Sequence, residues 1–429
     1  MISIHEALQR CLDSAPAVRA ESIAITAGLG RVLAEDVVAR TALPPWDNSA
    51  MDGFAVRASD TALAGTFESS DDPCGETSAV QQGGPRLRIV ETIAAGTVGK
   101  HVLGAGETAR IMTGAPMPEG ADAVVMREHT TATETDVEIH QAATTGQHIR
   151  KHGEDVATGQ TVLQKGTVLS PAALGLCAAV GREQILVSQQ PRVAIVSTGD
   201  ELVPPGQALG PGQIHSSNAH SIAGLIHQAG GIPIDCGIAA DDLEETHRAF
   251  MKAADCDVII STGGVSVGDF DLVRQAMQDL GADMQFWKVK IKPGKPLAFG
   301  IIQGTPTFGL PGNPVSCQVG FLQFVRPWIR MVLGDPNPFL PVIQARIRSP
   351  YFKRAGRAEL SRVQVRWENQ EWTATPTGSQ GSGSQTSMVL ANGLMLLPEE
   401  GVQLSANDLV HVQIIGDAVP SGTTPGYPW

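Results

Sequence analysis

Apolar runs alternate with amphipathic segments through the middle of the chain. The apolar runs are short and rich in Val and Ile, as in RVAIVST and DVIISTGG, which is typical of buried strands. The segments between them, such as DLEETHRAFMKAA, carry apolar residues at helical spacing. Strands are predicted at 192–198, 232–239, 257–264, 286–291, 297–302 and 306–310, and helices at 217–230, 242–254, 271–281 and 314–333. This alternation predicts parallel strand–helix–strand units and therefore an open, doubly wound α/β sheet.

The pattern differs on both sides of this region. Residues 88–156 alternate short Val/Ile strands with Gly turns, which predicts a small β-rich domain. After an Asp-Pro-Asn-Pro segment at 335–338, alternating strands such as VQVRW and LVHVQII predict a C-terminal all-β module. The Gly-, Ser- and Asp-rich stretch at 64–88 indicates a surface loop, to which we assign no chemistry.

Two short helices are predicted outside the α/β region. One covers 170–180, where Ser170 is a candidate cap and Pro171 suits the first helical position. The other covers 4–11 and is amphipathic with internal charges. The N-terminus lacks the basic start and the apolar core of a secretory signal, so we expect none.

Composition limits the classes of function. The 429 residues are 42% hydrophobic, so the chain can bury several cores. Lys and Arg total 31 against 44 Asp and Glu, a net charge of −13. Such a chain repels nucleic acid and anionic lipid as a whole, so neither is an expected partner, and an anionic ligand needs a local cationic cluster. Apolar stretches are too short to span a membrane. The six cysteines form no C-x-x-C pair, which indicates reduced cysteines in the cytoplasm rather than a zinc site.

Three loops that follow predicted strands favour binding of a phosphate-bearing anion. They read STGDELVPPG (197–206), STGGVSVGDFD (261–271) and LPGNPVS (310–316). Ligands of open α/β sheets bind where such loops leave the strands, and glycine lets backbone N–H groups approach an anion. In the third loop Asn313 can cap a helix that Pro314 begins, so the helix start can face a phosphate. The candidate contacts from these loops are Gly263, Gly264, Ser266, Pro311, Gly312, Pro314 and Ser316.

Four lysines are concentrated in KVKIKPGKP, within an otherwise acidic chain. Lysines on an edge strand can simply prevent aggregation. However, Lys292 and Lys295 flank a Pro-Gly turn beside the strand ends, which favours a clamp for an oxyanion.

Carboxylates at the strand ends are candidate ligands of a divalent cation. Asp241 precedes a helix that Asp242 can cap, and capping alone could explain this acidic cluster. Asp271 could likewise cap the next helix, whereas Glu201 has no helix to cap. Mg²⁺ often binds one or two carboxylates and bridges them to substrate phosphate. Glu201, Asp241 and Asp271 are therefore the predicted metal ligands.

A set of motifs in one consistent order resembles the molybdopterin molybdenumtransferase family, which includes the E domain of gephyrin. The motifs are WDNSAMDGFAVR, IMTGAPMPEGADAVV, GEDV, STGDELV, STGGVSVGDFD, KIKPGKP and LPGNPVS. The resemblance implies an elongated homodimer whose subunit has four parts. These are an extended segment (1–40 with 159–190), a β-rich domain (41–158), a central molybdopterin-binding, adenylyltransferase-like α/β domain (191–335) and a C-terminal β-barrel (336–429).

The resemblance also implies an activity. The family inserts molybdate into adenylylated molybdopterin with Mg²⁺-dependent hydrolysis and release of AMP. Motif by motif, it implies catalytic roles for Asp52, Thr113 and Asp155 besides the three carboxylates. Arg357, Ser316 and Ser382 match positions that approach molybdate. Asp52, Thr113 and Asp155 lie outside the α/β domain, and the resemblance implies that they complete the cleft of the partner subunit. Ser216 and Ser217 stand where family members often carry an acidic residue, which leaves open part of the ligand contact next to Asn218.

Two other functions remain open on the sequence alone. The central domain also resembles molybdopterin adenylyltransferase, although that activity needs only one such domain. A non-catalytic, gephyrin-like scaffold is the second alternative, although a scaffold would not require the acidic cleft residues. As partners of an inserting enzyme we expect the adenylyltransferase that makes its substrate and the molybdoenzymes that receive its product.

Overall fold

A computed structural model describes residues 1–62, 84–264 and 272–416 of the chain. Most of the predicted surface loop at 64–88 lies outside the described residues, and so do the predicted site residues Ser266 and Asp271.

The first part of the chain combines a β-sheet with a region built from distant segments. Its elements are α1 (Ile4–Leu12), β1 (Ala20–Ala24), β2 (Val37–Val38), β3 (Asn48–Ser49), β4 (Gly53–Val56), β5 (Arg86–Ile93), β6 (Glu107–Ile111), β7 (Ala123–Met126), β8 (Thr130–Ala132), β9 (Asp136–Ile139), β10 (Ile149–Arg150), β11 (Thr161–Leu163), α2 (Pro171–Ala179) and β12 (Gln184–Ser188). One mixed sheet has the strand order β7-β4-β6-β5-β9-β8. β1 pairs with β12, and β2 pairs with β11. The beginning of the chain is therefore joined to the segments that precede the α/β region.

Both short helices begin where the sequence predicts. The Ser170 hydroxyl accepts a hydrogen bond from the Ala173 amide at 3.2 Å, and Pro171 is the first residue of α2. α1 is capped in the same way by Ser3. Its buried residues Ala7 and Cys11 pack into the core of the α/β region.

The central α/β region holds a sheet with helices on both faces. Its elements are β13 (Arg192–Thr198), β14 (Leu202–Val203), β15 (Ile214–His215), α3 (Asn218–Ala229), β16 (Ile232–Ala239), α4 (Leu243–Ala253), β17 (Val258–Thr262), α5 (Leu272–Asp279), β18 (Asp283–Lys288), β19 (Ile291–Lys292), β20 (Pro296–Ile302), β21 (Thr305–Leu310), α6 (Pro314–Gly320) and α7 (Arg326–Val332). A π-helical turn at Phe321–Val325 joins α6 to α7, where the sequence predicts one long helix.

Alternating residues of β13 account for the two-sided packing. Val193 and Ile195 belong to the core that includes α3, α6 and α7. Ala194 and Val196 face the other way and pack with α4 and α5. Successive side chains of a strand point to opposite faces, so a strand covered on both faces is apolar throughout. The doubly wound α/β prediction is confirmed.

The sheet is not parallel throughout. Its order is β16-β13-β17-β21-β20-β18, and the first four strands are parallel. β20 and β18 are antiparallel to their neighbours. β20 and β21 are joined by the two residues Gln303 and Gly304, a link too short for the crossover that parallel strands need. The carboxyl ends of the four parallel strands therefore form the edge at which a ligand cleft is expected.

The C-terminal part is a β-barrel, as predicted. Its elements are β22 (Val342–Ile347), β23 (Tyr351–Lys353), β24 (Ala358–Glu368), β25 (Glu371–Pro376), α8 (Gln385–Val389), β26 (Gly393–Leu397), β27 (Val402–Leu404) and β28 (Leu409–Ile414). β24, β25, β22, β28 and β26 close into a ring, because β24 also pairs with β26. β19 leaves the α/β region and adds to β24 as a parallel strand. Among the helices of the described residues, none has the length and apolarity that crossing a membrane requires.

Candidate functional site

A cleft of about 1340 Å³ lies at the carboxyl ends of the parallel strands, between the central sheet and the barrel. The predicted site residues that line it are Glu201, Asp241, Gly263, Gly264, Lys292, Lys295, Pro311, Gly312, Pro314, Ser316, Arg357 and Ser382. Residues from three strand-end loops, a Lys-rich turn and the barrel thus meet in one place. These residues are far apart in the chain, and the parallel register of β13, β17 and β21 brings their loops together.

The glycines at the end of β17 are required by the backbone. Gly263 has a φ of +95°, and a Cβ there would lie 2.5 Å from the carbonyl oxygen of Thr198. Gly264 has a φ of +63° and also lies against the Thr198 side chain. L-residues with side chains rarely adopt such conformations. The two glycines therefore let the chain pass close to β13 at the end of β17, and both line the cleft.

The start of α6 differs in detail from the prediction. Asn313 is the residue before the helix and Pro314 is its first residue, but the Asn313 side chain makes no capping hydrogen bond. The Val315 amide donates a hydrogen bond at 3.0 Å to the Ser382 carbonyl of the barrel loop. The barrel therefore covers part of the helix start that the sequence assigns to a phosphate. This contact also places Ser382 beside Pro314.

Lys292 and Lys295 line the cleft on the two sides of the Pro293–Gly294 turn. The Lys292 ammonium donates a hydrogen bond to Glu359 Oε2 at 2.9 Å, and the Glu359 side chain is only 6% exposed. Lys290, the preceding lysine, pairs with Glu399 at 3.1 Å. Both predicted lysines therefore line the cleft, but Lys292 is already bound to a buried carboxylate that the sequence analysis missed.

The structure separates the two roles proposed for the acidic residues before α4. Asp242 caps the helix, because its side chain accepts a hydrogen bond from the Glu245 amide at 2.9 Å. Asp241 lines the cleft together with Glu201, and both are exposed. Within residues 1–62, 84–264 and 272–416, no group of three or more His, Cys, Asp or Glu side chains could hold a metal ion. Glu201 follows β13 and Asp241 follows β16, and two carboxylates are enough for a cation such as Mg²⁺, which keeps several waters. The predicted third ligand, Asp271, lies outside the described residues.

Asp52, Thr113 and Asp155 do not line the cleft of their own chain. The Asp52 carboxylate accepts hydrogen bonds from the Thr113 amide at 2.7 Å and from the Thr113 hydroxyl at 2.8 Å. These bonds, the amide first, hold the pKa of Asp52 below its ordinary value of 3.8. Asp155 is exposed, and its amide donates to the Leu43 carbonyl at 3.0 Å. Asp52 and Thr113 thus form a preorganised anionic group on the surface of the β-rich sheet.

Replacing Thr113 should raise the pKa of Asp52. Thr113→Ala removes the hydroxyl bond and keeps the amide bond, so the pKa should move toward 3.8 without reaching it. The native contact is complete above pH 3.8 and is lost as the pH falls through the lowered pKa of Asp52. An NMR titration of the labelled Asp52 carboxylate measures this shift. Thr97→Ala, at an exposed Thr that bonds a backbone carbonyl, is the matched control, and an unchanged Asp52 titration in Thr113→Ala would contradict the assignment.

The barrel supplies cleft residues that the sequence analysis did not find. Gln380 and Gln385 line the cleft beside Ser382. The buried Arg362 guanidinium holds their loop by donating to the carbonyls of Ser379 at 3.1 Å and Gly381 at 2.9 Å. A Gly/Ser/Gln run has the composition of an ordinary turn, so the sequence pattern offers no signal that this loop lines a cleft.

Ser216 and Ser217 also line the cleft. The Ser217 hydroxyl accepts a hydrogen bond from Gln385 Nε2 at 2.9 Å, which links α3 to the barrel loop. Ser216 is buried and lines the cleft. Next to them, Asn218 Nδ2 donates to the Gly312 carbonyl at 2.8 Å.

The fold and the cleft define a multidomain α/β protein whose lysine-flanked ligand cleft is closed on one side by a β-barrel. Three family descriptions match successive parts of the chain: the MoeA N-terminal region (domain I and II) at residues 2–181, a probable molybdopterin binding domain at 194–331 and the MoeA C-terminal region (domain IV) at 344–415. The chain belongs to the MoeA family of molybdopterin molybdenumtransferases.

Similar proteins extend over nearly the whole chain. Molybdopterin molybdenumtransferase 2 of Mycobacterium tuberculosis (strain H37Rv) is 38% identical over 422 residues, which cover 96% of this chain and 99% of that protein. Molybdopterin molybdenumtransferase of Bacillus subtilis is 37% identical over 402 residues, which cover 92% of this chain and 90% of that protein. A crystal structure of the molybdopterin biosynthesis MoeA protein from Pyrococcus horikosii aligns with a TM-score of 0.80 at 33% identity over 97% of this chain and 100% of that one.

Proposed function

We propose that this protein is a molybdopterin molybdenumtransferase that inserts molybdate into adenylylated molybdopterin and releases AMP. The observation that carries the proposal is the cleft itself, where two carboxylates, two lysines, an arginine and a glycine-lined loop converge at the strand ends. The substrate and the metal oxyanion are both anionic, so one cationic cleft can receive both. The relatives that bear this enzyme name match the chain over nearly their full lengths.

Within the cleft the carboxylates and the cations have different tasks. Glu201 and Asp241 would hold Mg²⁺, which supplies Lewis-acid polarisation of a phosphoryl oxygen and of water. Lys295 and Arg357 neutralise the oxygens of the phosphate and of molybdate. Ser382 and Ser316 donate hydroxyl hydrogen bonds that orient the oxyanion. No side chain has to act as a nucleophile toward molybdate, because the dithiolene sulfurs of the substrate themselves bind the molybdenum.

We propose further that the active form is a homodimer in which Asp52, Thr113 and Asp155 reach the cleft of the partner subunit. Two features of the chain support this arrangement: these residues are away from the cleft of their own chain, and Trp46 and Met51 beside Asp52 are 49% and 40% exposed. Trp and Met are enriched at protein interfaces, so their exposure in this segment favours an interface there.

The adenylyltransferase that makes the substrate and the molybdoenzymes that take the product are the proposed partners. We place the protein in the cytoplasm, because the five cysteines that the structure describes are unpaired.

The released nucleotide tests the function. Purified protein with adenylylated molybdopterin and Mg²⁺ should release AMP at a rate that rises with molybdate concentration. Chelation of Mg²⁺ should lower the rate by at least about a hundredfold, since the cation neutralises charge that develops on the phosphate. Consumption of ATP in the presence of molybdopterin would instead indicate adenylylation, and neither activity would indicate the scaffold.

A further inference from the structure

Glu359 is a buried carboxylate to which no role has been assigned so far. It lies on β24 of the barrel, and its side chain is 6% exposed. Both of its oxygens have partners. Oε1 accepts hydrogen bonds from Tyr351 at 2.8 Å and from Ser361 at 2.9 Å, and Oε2 accepts one from Lys292 at 2.9 Å.

Burial would raise the pKa of Glu359, but the hydrogen bonds from Lys292, Tyr351 and Ser361 outweigh burial and lower it. Glu359 is therefore ionised at neutral pH. Burial raises the pKa of Tyr351 to about 12, so its hydroxyl stays protonated and can donate to the carboxylate. A buried charge that is satisfied on both oxygens is held in one orientation.

The backbone places Lys292 directly opposite this carboxylate. β19 pairs with β24 in parallel, and the register joins Ile291 to Ala358 and Lys292 to Glu359. The Arg357 guanidinium also donates to the Ile291 carbonyl at 3.4 Å. The same short strand pair thus carries two cations that line the cleft, Lys292 and Arg357.

The Lys292 side chain is half-exposed, and an ammonium group has three donors. One donor is used by Glu359, so the others are available to a ligand. Lysine loses considerable side-chain entropy when it is immobilised, and a fixed partner reduces that loss on binding. A preorganised Lys292 would therefore bind an oxyanion more tightly than a mobile one.

We propose that Glu359, anchored by Tyr351 and Ser361, is a positioning residue that orients Lys292 for the oxyanion in the cleft. This inference rests on the proposed function for the identity of the oxyanion, molybdate. Glu359 acts through Lys292 and does not itself touch the ligand.

Replacing Glu359 by Gln tests the proposal, because the loss of its charge and the loss of its orienting contact have opposite effects on molybdate binding. Removing a negative charge beside a cationic site strengthens anion binding by Coulomb attraction alone. Glu359→Gln should nevertheless raise the KM for molybdate in the AMP-release assay roughly tenfold, and change kcat by less than about threefold, because orientation of the binding group is lost. Titration calorimetry with molybdate alone should show a matching rise in Kd.

A charge-neutral variant separates orientation from charge. Tyr351→Phe keeps the Glu359–Lys292 pair and removes one anchor, so the KM for molybdate should rise by about threefold. In a Lys292→Met background, Glu359→Gln should add less than about twofold, because the residue through which it acts is gone.

Glu399→Gln is the matched control, since Glu399 pairs with Lys290, the neighbouring lysine that does not line the cleft. It should leave the KM unchanged. Tighter molybdate binding in Glu359→Gln, or equal effects with and without Lys292, would overturn the proposal. If Glu359→Gln fails to fold in circular dichroism, Tyr351→Phe decides the question by the same KM measurement. Absence of AMP release by the wild type would sink the proposed function instead, and molybdate calorimetry would still test the orientation.

Discussion

Asp241→Asn is expected to reduce molybdate-dependent AMP release by about a hundred- to a thousandfold, and Glu201→Gln by a similar factor. Each substitution removes one of the two carboxylates that line the cleft at the strand ends. With only one of these two carboxylates left among the described residues, the site would lose charge compensation for a divalent cation as well as its geometry. Mg²⁺ titrations of the two variants should show a raised half-saturation concentration or no saturation.

Both variants should fold normally. Glu201 and Asp241 are exposed, and substitutions at exposed positions usually change the free energy of unfolding by less than about 0.5 kcal/mol. The shorter of the two hydrogen bonds between Asp241 and Asp200 is donated by the Asp241 backbone amide at 2.9 Å, so it survives the change, and the Asp241 side chain accepts only the 3.5 Å one. Thermal unfolding checks this point.

Glu244→Gln is a suitable control because Glu244 lies in the same acidic segment, in the first turn of α4, and does not line the cleft. It should retain wild-type activity and Mg²⁺ dependence. Full activity in both Asp241→Asn and Glu201→Gln would contradict the assignment of the metal-binding carboxylates.

Where a local pattern determines the position of a residue, the sequence analysis named residues that line the cleft. The apolar run 192–198 predicts a buried strand, and Gly199 and Glu201 follow it at the sheet edge. A glycine at the end of a predicted strand is likewise visible in the sequence, and at Gly263 the positive φ and the close approach to β13 require it. Loops that follow neighbouring parallel strands meet in space whatever their separation in the chain.

Features that depend on contacts between distant segments were not predictable. Nothing in KIKPGKP shows that Lys292 faces a glutamate 67 residues later in the chain, because the pairing of β19 with the barrel decides it. Arg362 was missed for the same reason, since its partners are carbonyls of a loop about twenty residues away. Capping by Asn313 failed as a prediction because the barrel loop takes the Val315 amide.

Mixed dimers should show a large change in activity if each cleft is completed by Asp52 of the partner subunit. Asp52→Asn and Asp241→Asn homodimers should each be nearly inactive. When the two variants are co-expressed with different tags, the purified heterodimer should recover about half of the wild-type activity, because in a twofold-symmetric dimer one of its two clefts has both residues intact. The AMP-release assay on the doubly tagged fraction measures this recovery.

A second heterodimer reverses the expectation and excludes trivial explanations. A chain carrying both Asp52→Asn and Asp241→Asn, paired with a wild-type chain, leaves each cleft with one altered residue if Asp52 acts across the interface. That heterodimer should be nearly inactive. If Asp52 served the cleft of its own chain, the wild-type subunit would work alone, and the two heterodimers would exchange their activities. The position of Asp52 and Thr113 away from the cleft of their own chain favours the first result.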